Sequence, residues 1–428
     1  MNVLVLGGGG REHAIIKALR KNPTINRIYC TPGNDGMDGG TPFPIAADNF
    51  STLIRFAKTE HVEYVVVSPD NPLVEGAVDR FTEAGFRCFG PTKAAAQLEG
   101  SKIFAKAFMK RHEIPTARYE AFSTARDARD YIHAEASAGH LPLVIKADGL
   151  ALGKGVVIAE SEEEAQDTIT RFMEQDAFGE SGHRLIVEEF MEGPEVTVLT
   201  LTDGKTIVPL LSSMDHKRAY DGDKGPNTGG MGVIAPNPFY TSDIADVCQK
   251  TIFEPTIKGM REEGMPFKGC LYFGLMLTKE GPKVVEYNCR FGDPEAQAIL
   301  PLLESDLFTL FQAVSDETLS EDMVRFTDGA SCCVILASKG YPKQYEKNVE
   351  ITLPRHLRDK IFCAGVRKKG STYYTNGGRV VGVVETAPTL HEAIDKAYKT
   401  AESVTFRNKF FRTDIGQKAL EALERSQA

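Results

Sequence analysis

The first part of the chain alternates between strand and helix patterns, which allows few folds. Residues 3–6 (Val-Leu-Val-Leu) form a short apolar run, residues 7–10 are glycines, and residues 12–21 have a helical pattern before a strand-like segment at 27–31. The same alternation continues to about residue 91. Strands that alternate with helices in this way are typical of a parallel sheet covered by helices. We therefore predict an N-terminal α/β domain that closes near residue 100.

Composition limits the remaining classes. At roughly 100–200 residues per domain, a chain of 428 residues should contain two to four domains. Its net charge of −9 gives no broad basic surface, so we expect no nucleic-acid partner. The eight cysteines include no C-x-x-C pair and suit reduced thiols in the cytoplasm. With neither a signal-peptide pattern nor an apolar run of about 18 residues, we expect no membrane partner.

Residues 284–290 (Val-Val-Glu-Tyr-Asn-Cys-Arg) have the pattern of a β-strand with one polar face. Its period of two predicts a polar face formed by Glu286, Asn288 and Arg290. The opposite, apolar face would be formed by Val285, Tyr287 and Cys289. Glu286 and Asn288 would offer oxygen ligands of the kind Mg²⁺ accepts, roughly 7 Å apart. An ordinary strand with an exposed polar face has the same pattern, so this segment alone leaves both interpretations open.

Residues 146–155 (Lys-Ala-Asp-Gly-Leu-Ala-Leu-Gly-Lys-Gly) form a glycine-rich loop that differs from a Walker loop. Only three residues separate Gly149 from Gly153, and Gly155 stands where a Walker loop needs Ser or Thr for the metal. A flexible glycine loop between two strands suits a lid over a triphosphate instead. This interpretation requires the metal ligands to come from another segment.

The cations near this loop complete the hypothesis. Lys146 lies on the first strand and Lys154 inside the loop, while Lys102 opens the helix after Ser101 and could equally be a surface lysine. Because the loop lacks the metal-binding Ser or Thr of a Walker loop and the strand at 284–290 offers oxygen ligands, we expect the two segments to face each other around one ATP site.

The glycines at 7–10 lie between a strand and a helix, where backbone N–H groups can hold a phosphate. A nicotinamide dinucleotide is disfavoured because Glu12 occupies the third glycine position of G-x-G-x-x-G. The second strand also ends in residues 30–34 (Cys-Thr-Pro-Gly-Asn), without the expected carboxylate. With Arg11 and His13 adjacent, we favour a small phosphorylated sugar over a purely structural turn.

Two further segments are weaker candidates. Residues 187–191 form an apolar strand end that could pair with an adenine edge, and Glu195 could accept ribose hydroxyl hydrogens. Residues 213–232 are rich in charge and glycine, so we predict a long loop that could exclude water from a reactive intermediate. A plain solvated loop is equally consistent with this composition.

Taken together, these motifs resemble the phosphoribosylamine–glycine ligase family, ATP-grasp enzymes of purine biosynthesis. The resemblance runs from residue 1 to about 416 and rests on ordered motifs at 9–13, 32–34, 90–92, 97–102, 146–156, 215–218, 225–232, 288–295 and 375–380. It implies the second step of purine biosynthesis, in which glycine is joined to the amine of 5-phosphoribosylamine. ATP would be cleaved to ADP and phosphate through a glycyl phosphate, giving phosphoribosylglycinamide.

The resemblance also implies an architecture: an ATP-grasp fold, α/β overall and α+β in its ATP-binding part. Residues 1–100 would bind the phosphoribosyl substrate and residues 101–328 would form the ATP-grasp domain, with a lid subdomain at about 120–190. Residues 329–428 would form a small C-terminal α+β domain. The expected cofactors are ATP and Mg²⁺ or Mn²⁺, the expected small-molecule partners are glycine, 5-phosphoribosylamine and ATP, and a monomer is expected.

Residue roles follow from the same resemblance. The nucleotide would be bound by Lys102, Lys146, Gly149, Gly153, Lys154, Gly155, Glu188, Glu189, Phe190, Met191, Glu195, Arg218 and Asn227. The other substrates would be bound by Gly9, Gly10, Arg11, Glu12, His13, Asn34, Asp215, Lys217 and Arg290. The metal ligands would be Glu286 and Asn288, and the catalytic residues Arg290, Lys146 and Asp293.

The chain departs from the family pattern at two places. Residues 68–72 read Ser-Pro-Asp-Asn-Pro where Gly-Pro-Glu-x-Pro is usual, which leaves the role of Asp70 open, and Pro194 replaces a common glutamate but leaves Glu195 intact. Three alternatives remain: another ATP-grasp ligase such as a carboxylase, a dinucleotide-binding oxidoreductase, and a nucleotide-binding module without turnover.

Overall fold

The computed structural model describes residues 1–150, 155–175 and 182–427. The N-terminal part contains β1 (Asn2–Gly7), α1 (Gly10–Leu19), β2 (Arg27–Pro32), β3 (Thr41–Pro42), α2 (Phe50–Thr59), β4 (Val62–Val67), α3 (Asp70–Glu75), α4 (Ala77–Glu83) and β5 (Arg87–Phe89). The strands form a five-stranded sheet in the order β3-β2-β1-β4-β5, and every pairing is parallel. The predicted N-terminal parallel sheet is therefore confirmed.

The alternation of side chains along β1 explains how this sheet is covered on both faces. Val3 and Val5 belong to one hydrophobic cluster and Leu4 and Leu6 to another, and all four are fully buried. Continuous apolar runs of this kind are typical of strands buried on both sides. The turn after β1 therefore lies at the carboxyl edge of a fully packed sheet.

The next segment builds a separate, smaller sheet. It contains α5 (Gln97–Gly100), α6 (Lys102–Arg111), β6 (Tyr119–Phe122), α7 (Ala125–Ser137), β7 (Leu143–Ala147), β8 (Val156–Ala159), α8 (Glu162–Ile169), a π-helical turn (Thr170–Glu174) and β9 (Leu185–Glu189). Four antiparallel strands run in the order β6-β9-β7-β8 and enclose their own hydrophobic cluster with α7 and α8.

The central part carries the longest strands. It contains β10 (Glu195–Asp203), β11 (Ile207–Asp215), β12 (Arg218–Tyr220), β13 (Lys224–Asn227), β14 (Gly232–Ala235), α9 (Ser242–Cys248), a π-helical turn (Gln249–Phe253), α10 (Glu254–Glu262), β15 (Lys268–Thr278), β16 (Gly281–Asn288), α11 (Glu295–Ile299) and α12 (Leu307–Ser315). The hairpins predicted at 203–204 and 279–282 are confirmed by the antiparallel pairs β10–β11 and β15–β16.

The C-terminal part continues the same large sheet. It contains β17 (Ala330–Ser338), β18 (Glu350–Ile351), β19 (Ile361–Cys363), β20 (Val366–Lys369), β21 (Thr372–Thr375), β22 (Arg379–Ala387), α13 (Leu390–Ser403), β23 (Lys409–Phe410) and α14 (Gln417–Gln427). The nine-stranded sheet runs β16-β15-β10-β11-β14-β17-β22-β19, with β23 paired to β17. Because β14 pairs with β17, backbone hydrogen bonding continues across the division predicted at residue 329.

Two local predictions were wrong. Residues 213–232 are not a continuous loop, because β12 and β13 pair there as a two-stranded ribbon. The helix expected over 296–313 is broken into α11, a 3₁₀ turn (Leu300–Leu302) and α12. Pro301 lies in that turn, and a proline cannot donate the hydrogen bond that a continuing helix needs. Among the helices of the described residues, none combines the length and apolar character needed to cross a bilayer.

Candidate active site

A β-bulge at Val285 shapes the strand that carries the predicted metal ligands. Gly274 pairs with Glu286 and Leu275 with Val284, so Val285 has no partner in the register. The bulge places Val284 on the buried face with Tyr287, at 0% and 3% exposure. The prediction that Val285 lies on this face is therefore wrong, whereas Glu286 remains half-buried on the opposite side.

The bulge links this strand to the glycine-rich loop. Lys146, on β7, donates from Nζ to the backbone oxygen of Val285 at 3.2 Å. Lys102, at the start of α6, donates to the backbone oxygen of Gly149 at 2.7 Å. Two lysines from different elements therefore lie between the glycine loop and the residue next to Glu286. The two segments face each other, as the sequence predicted.

The glycine loop itself is only partly described. Gly149 adopts a left-handed φ of +100° that favours glycine. The loop is closed at its base by the amide of Ala147, which donates to the oxygen of Gly155 at 2.9 Å. The predicted nucleotide residues Gly153 and Lys154 lie outside the described residues.

Glu188 is bound by two lysines. Its Oε2 lies 2.8 Å from Lys146 Nζ and its Oε1 lies 3.2 Å from Lys106 Nζ, and all three side chains are at least nine-tenths buried. Burial lowers the pKa of Lys106 to about 8, although the charge of Glu188 opposes this shift. Glu188 therefore orients Lys146 through an ion pair. Lys106 lies one helical turn after Lys102, and this spacing is the signal that could have indicated it.

The residues predicted to border adenine follow Glu188. Glu189 accepts a hydrogen bond from the Arg118 amide at 3.0 Å, so its carboxylate already has a partner. Phe190 is an exposed large hydrophobic residue at 38%, and Met191 is half-buried. An exposed aromatic ring at a strand end offers an apolar surface to a planar ligand.

Cations surround Glu286. Lys217 Nζ lies 3.6 Å from its Oε1 and 3.5 Å from Glu195 Oε2. Although burial acts in the opposite direction, the charges of Lys217, Lys146 and Lys102 lower the pKa of Glu286. Glu286 is therefore ionised at neutral pH and exposed by 38% to the cleft. Asn288, two residues later on the same face, accepts from Arg290 at 3.1 Å.

Beside Lys217, two carboxyl groups lie close together. Burial and the neighbouring Glu295 raise the pKa of Asp215, and burial raises the pKa of Glu295. Oδ1 of Asp215 is buried and makes no hydrogen bond within the described residues. A buried acceptor without a donor is costly, so this oxygen is suited to a ligand that brings a positively charged donor.

Arg290 connects the N-terminal domain to the polar strand face. Its Nη2 lies 3.0 Å from Glu99 Oε1 and 3.8 Å from Asp70 Oδ2. Glu99 also accepts a hydrogen bond from the Cys289 amide at 2.7 Å. Burial lowers the pKa of Arg290, but Glu99 and Asp70 outweigh it and the net shift is upward. Glu99 is a site residue that the sequence analysis missed, because its partners lie about 190 residues away along the chain.

Asp293 lies where three regions meet. Its Oδ2 lies 3.4 Å from Arg379 Nη2, and a Cβ atom added to Gly9 would lie 3.1 Å from the same oxygen. Arg379 also donates to the backbone oxygen of Asp293 at 2.7 Å. Burial raises the pKa of Asp293, but Arg379 and Arg11 more than offset this and the net shift is downward. The N-terminal glycine turn, the central domain and β22 therefore form one cleft.

The N-terminal turn is organised by Glu12. Its carboxylate accepts hydrogen bonds from the Gly9 amide at 2.6 Å, Arg11 Nε at 2.6 Å and Ser68 Oγ at 2.7 Å. This is the carboxylate half of a helix capping box. The amide of Gly9 thus has an internal partner, whereas Gly10 lies in the first turn of α1.

His13 and Asn34 connect this turn to the C-terminal domain. His13 is fully buried, and its Nδ1 lies 2.8 Å from the Cys363 amide. Asn34 donates to the backbone oxygens of Gly8 and Cys363 at 2.9 and 3.0 Å. Burial lowers the pKa of His13, so its ring is neutral at pH 7. The structure therefore places His13 inside a domain contact and Asn34 at its rim.

Arg218 and Asn227 are register partners on the ribbon formed by β12 and β13. Arg218 Nη1 donates to the backbone oxygen of Gly225 at 2.8 Å, which fixes the guanidinium along the ribbon. The ribbon begins directly after Lys217. Both predicted triphosphate residues are therefore held on one short, hydrogen-bonded element, which follows the lysine that lies beside Glu286.

Family models match all three parts of the chain. Residues 1–99 match the phosphoribosylglycinamide synthetase N domain, residues 100–296 its ATP-grasp (A) domain, and residues 331–418 its C domain. A phosphoribosylamine–glycine ligase of Clostridium acetobutylicum is 45% identical over 97% of this chain and 100% of its own length. The trifunctional purine biosynthetic protein adenosine-3 of Gallus gallus is 44% identical over 99% of this chain, which covers 43% of that protein.

Solved structures agree with these relatives. The crystal structure of a Thermotoga maritima phosphoribosylamine–glycine ligase has a TM-score of 0.84 and 36% identity, covering 97% of this chain and all of that one. The biotin carboxylase domain of a Hydrogenobacter thermophilus 2-oxoglutarate carboxylase has a TM-score of 0.73 at 16% identity, covering 96% of this chain and 91% of that one, which shows a shared fold alone. The chain therefore belongs to the phosphoribosylglycinamide synthetase family and is a ligase with the ATP-grasp fold.

Proposed function

We propose that this chain joins glycine to the amine of 5-phosphoribosylamine, with cleavage of ATP, as the second step of purine biosynthesis. The observation that carries the proposal is the hydrogen bond from Lys146 to Val285, which brings a cationic group beside the oxygen ligands of β16. A cleft lined by cations on one side and carboxylates on the other suits phosphoryl transfer, which needs positioning and charge neutralisation.

The reaction would proceed in two transfers. A carboxylate oxygen of glycine attacks the γ-phosphorus of ATP, and ADP leaves with its bonding electrons. The amine of phosphoribosylamine then attacks the activated carbonyl, loses a proton and expels phosphate. Neither transfer needs a covalent protein nucleophile. The chain contributes by holding three reactants in line and by excluding water.

The nucleotide would lie between the small four-stranded sheet and β16. Lys102 and Lys146 would bind its phosphates, the loop at 149–156 would cover them, and residues 188–191 would border the adenine. Glu195 has a side chain exposed by 54%, so its carboxylate is available to ribose hydroxyls. The remaining nucleotide contacts would come from Arg218 and Asn227 on the ribbon.

A divalent cation fits Glu286 and Asn288, since both present oxygen atoms on one strand face and Glu286 is ionised. In the part of the chain that the structure describes, no group of three or more His, Cys, Asp or Glu side chains forms a metal cluster. The cation would therefore need further oxygen atoms from ATP. Bound there, Mg²⁺ or Mn²⁺ would neutralise phosphate charge.

The other two substrates would bind on the far side of Arg290. Asp215, with its unpaired Oδ1, would accept the ammonium group of glycine while Lys217 and Arg290 face its carboxylate. The turn at 9–13, whose shape is fixed by Glu12 and the buried His13, would hold the phosphoribosyl group beside Asp293 together with Asn34. In this arrangement the amine would lie near the carbonyl that it attacks.

We also propose the setting of the enzyme. Domains would divide at about residues 100 and 328, with the lid subdomain at about 120–190. All eight cysteines are free, which supports a reducing cytoplasm. With a net charge of −9, the partners would be small molecules rather than nucleic acid, and the enzyme would act as a monomer.

Release of ADP tests the activity directly. The purified chain is given ATP and Mg²⁺ with glycine alone, with phosphoribosylamine alone, and with both; bicarbonate replaces glycine in a fourth mixture. We expect sustained ADP release only when glycine and phosphoribosylamine are both present. Release that depends on bicarbonate would support a carboxylase instead, and no release in any mixture would support a binding module.

A further inference from the structure

The segment at residues 412–418, at the end of the C-terminal domain, is bound to the ribbon that carries Arg218 and Asn227. Arg412 is 2% exposed, although it is a charged side chain. Its Nη1 donates to Asp223 Oδ1 at 2.9 Å and to the backbone oxygen of Arg218 at 3.2 Å. One guanidinium therefore contacts both the first residue of β12 and the turn before β13.

Asp414 fixes the other side of this guanidinium. Nε and Nη2 of Arg412 donate to its two carboxylate oxygens at 2.7 and 2.8 Å, a bidentate arrangement. Asp414 Oδ2 also accepts from the amide of Gly222, at the tip of the ribbon, at 2.8 Å. Burial opposes ionisation, but Arg412 and the Gly222 amide lower the pKa of Asp414 to about 2. The carboxylate is therefore charged throughout the working pH range.

Further contacts hold the base and the tip of the ribbon. The amide of Thr413 donates to Asp221 Oδ1 at 2.9 Å, and the amide of Gly416 donates to His216 Nε2 at 3.1 Å. The ring of Tyr220 lies 6.0 Å from that of Phe410. The base and the turn of the ribbon are thus connected to residues 412–418, and Tyr220 of β12 lies beside Phe410 just before that segment.

The ribbon needs this support. β12 and β13 form a separate two-stranded sheet that does not join the nine-stranded one. An isolated two-stranded hairpin is marginally stable in water. Moving the ribbon away would break the ion pair between Arg412 and Asp223 and leave the buried guanidinium with an uncompensated charge. Because that is costly, the ion pairs of Arg412 hold the ribbon in one position.

We propose that residues 412–418 act as a strap that holds the ribbon in place over the nucleotide, with Arg412 as its positioning residue. The inference rests on the proposed function, because it assigns Arg218 and Asn227 to the triphosphate. The new element is that the C-terminal domain sets the position of Arg218 and Asn227, although both residues belong to the central part of the chain. Loss of the strap should weaken nucleotide binding more than it slows the chemical step.

The decisive variant is Arg412→Met, which keeps the length of the side chain but removes its charge. We expect the KM for ATP and the dissociation constant of MgADP, measured by calorimetry, to rise about tenfold or more. We expect kcat and the KM for glycine to stay within about threefold of wild type, because the removed contact acts on ATP binding alone. Arg412→Lys, which restores the charge, should recover part of the loss.

Two measurements separate this role from general stability. Lys360→Met removes a cation from buried Glu385 inside the same domain and should leave the KM for ATP unchanged. Hydrogen exchange should show faster amide exchange over residues 218–227 in Arg412→Met but not in Lys360→Met.

If Arg412→Met fails to fold, Asp223→Asn tests the proposal instead. This variant removes the ribbon carboxylate that pairs with Arg412, at a partly exposed position. Unchanged ATP affinity together with unchanged ribbon exchange, in whichever of the two variants folds, would overturn the strap. A wild-type chain that releases no ADP would contradict the proposed function instead, and the exchange measurement would still decide the strap.

Discussion

The ammonium nitrogen of Lys146 lies 2.8 Å from Oε2 of Glu188, in a pair that is almost fully buried. Lys106 occupies the other carboxylate oxygen and also donates to Thr116 Oγ1 at 2.7 Å. Two cations share one anion, so the group retains a net positive charge beside Val285. Lys106 therefore balances Glu188 and leaves the charge of Lys146 available to a phosphate.

Replacement of Lys106 by methionine tests this balance. Glu188 would keep Lys146 as its one strong counter-ion, so we expect the KM for ATP to rise about tenfold, an effect of about 1.4 kcal/mol. The buried carboxylate also loses a partner, which should lower the free energy of unfolding by about 3 kcal/mol. Saturation curves for ATP and urea unfolding measure the two effects. Lys110→Met, at an exposed position of the same helix, is the control; equal KM values in both variants would contradict the prediction.

Replacement of Glu286 by alanine tests the proposed metal site. Loss of an ionised oxygen ligand should reduce turnover by about 100-fold or more, and excess Mg²⁺ should restore little of it. ADP release over a Mg²⁺ titration measures both. Glu280→Ala, in the turn of the same hairpin with a side chain exposed by 76%, should behave as wild type. Full turnover of Glu286→Ala with an unchanged Mg²⁺ dependence would exclude Glu286 as a ligand.

Stability should fall on acidification because of His216. Burial, followed by the charge of Arg412, lowers the pKa of His216 to about 4. In the unfolded chain the pKa is about 6.5, so between about pH 6.5 and 4 the unfolded chain binds a proton that the folded ring does not. The free energy of unfolding should therefore decrease as pH falls through this window, by up to about 3 kcal/mol.

The measurement is the urea midpoint at about pH 7.5 and about pH 5. His216→Gln should lose less stability over this interval than wild type. His133→Gln, on an exposed side chain of α7, should lose as much as wild type. An identical decrease in all three proteins would show that other groups control the acid response.

Asp70, at the position where the chain departs from the family pattern, should affect one substrate. It belongs to the N-terminal domain, where we propose that the phosphoribosyl group binds, and it lies 3.8 Å from Arg290 at the cleft. Asp70→Ala should therefore raise the KM for phosphoribosylamine about threefold to tenfold. The KM for ATP should stay unchanged. Kinetics with each substrate varied in turn provide the test, and Asp48→Ala, exposed in the same domain, is the control. An equal rise in every KM would indicate a structural role instead.

Local patterns predicted much of this molecule. The apolar run of β1, the glycines after it and the hairpins of the large sheet each depend on neighbours in sequence, so their periodicity is enough to identify them. Glu286 and Asn288 were placed on the correct face for the same reason. The predicted position of Val285 was wrong because the bulge depends on the register between β16 and β15. That register cannot be inferred from the sequence of β16 alone.

The parts that were missed depend on distant contacts. The sequence analysis placed Glu188 in the adenine hinge and did not predict that its carboxylate forms ion pairs with lysines on α6 and β7. From the C-terminal domain, Arg379 reaches Asp293 in the cleft and Arg412 reaches the ribbon, 86 and 194 residues from the backbone oxygens that they bind. No spacing rule connects residues so far apart, and only the folded chain shows which carboxylate each guanidinium meets.

The pairing of β14 with β17 restricts the domain motions that this enzyme can make. Four residue pairs join the two strands, so residues 330–387 cannot swing away from the central domain without breaking a ladder of backbone hydrogen bonds. Among the described residues, neither the four-stranded sheet of β6 to β9 nor the five-stranded N-terminal sheet is joined to the nine-stranded sheet by such a ladder. Because strands β6 to β9 enclose their own hydrophobic cluster, that small sheet can pivot to admit ATP and release ADP without breaking the ladder between β14 and β17.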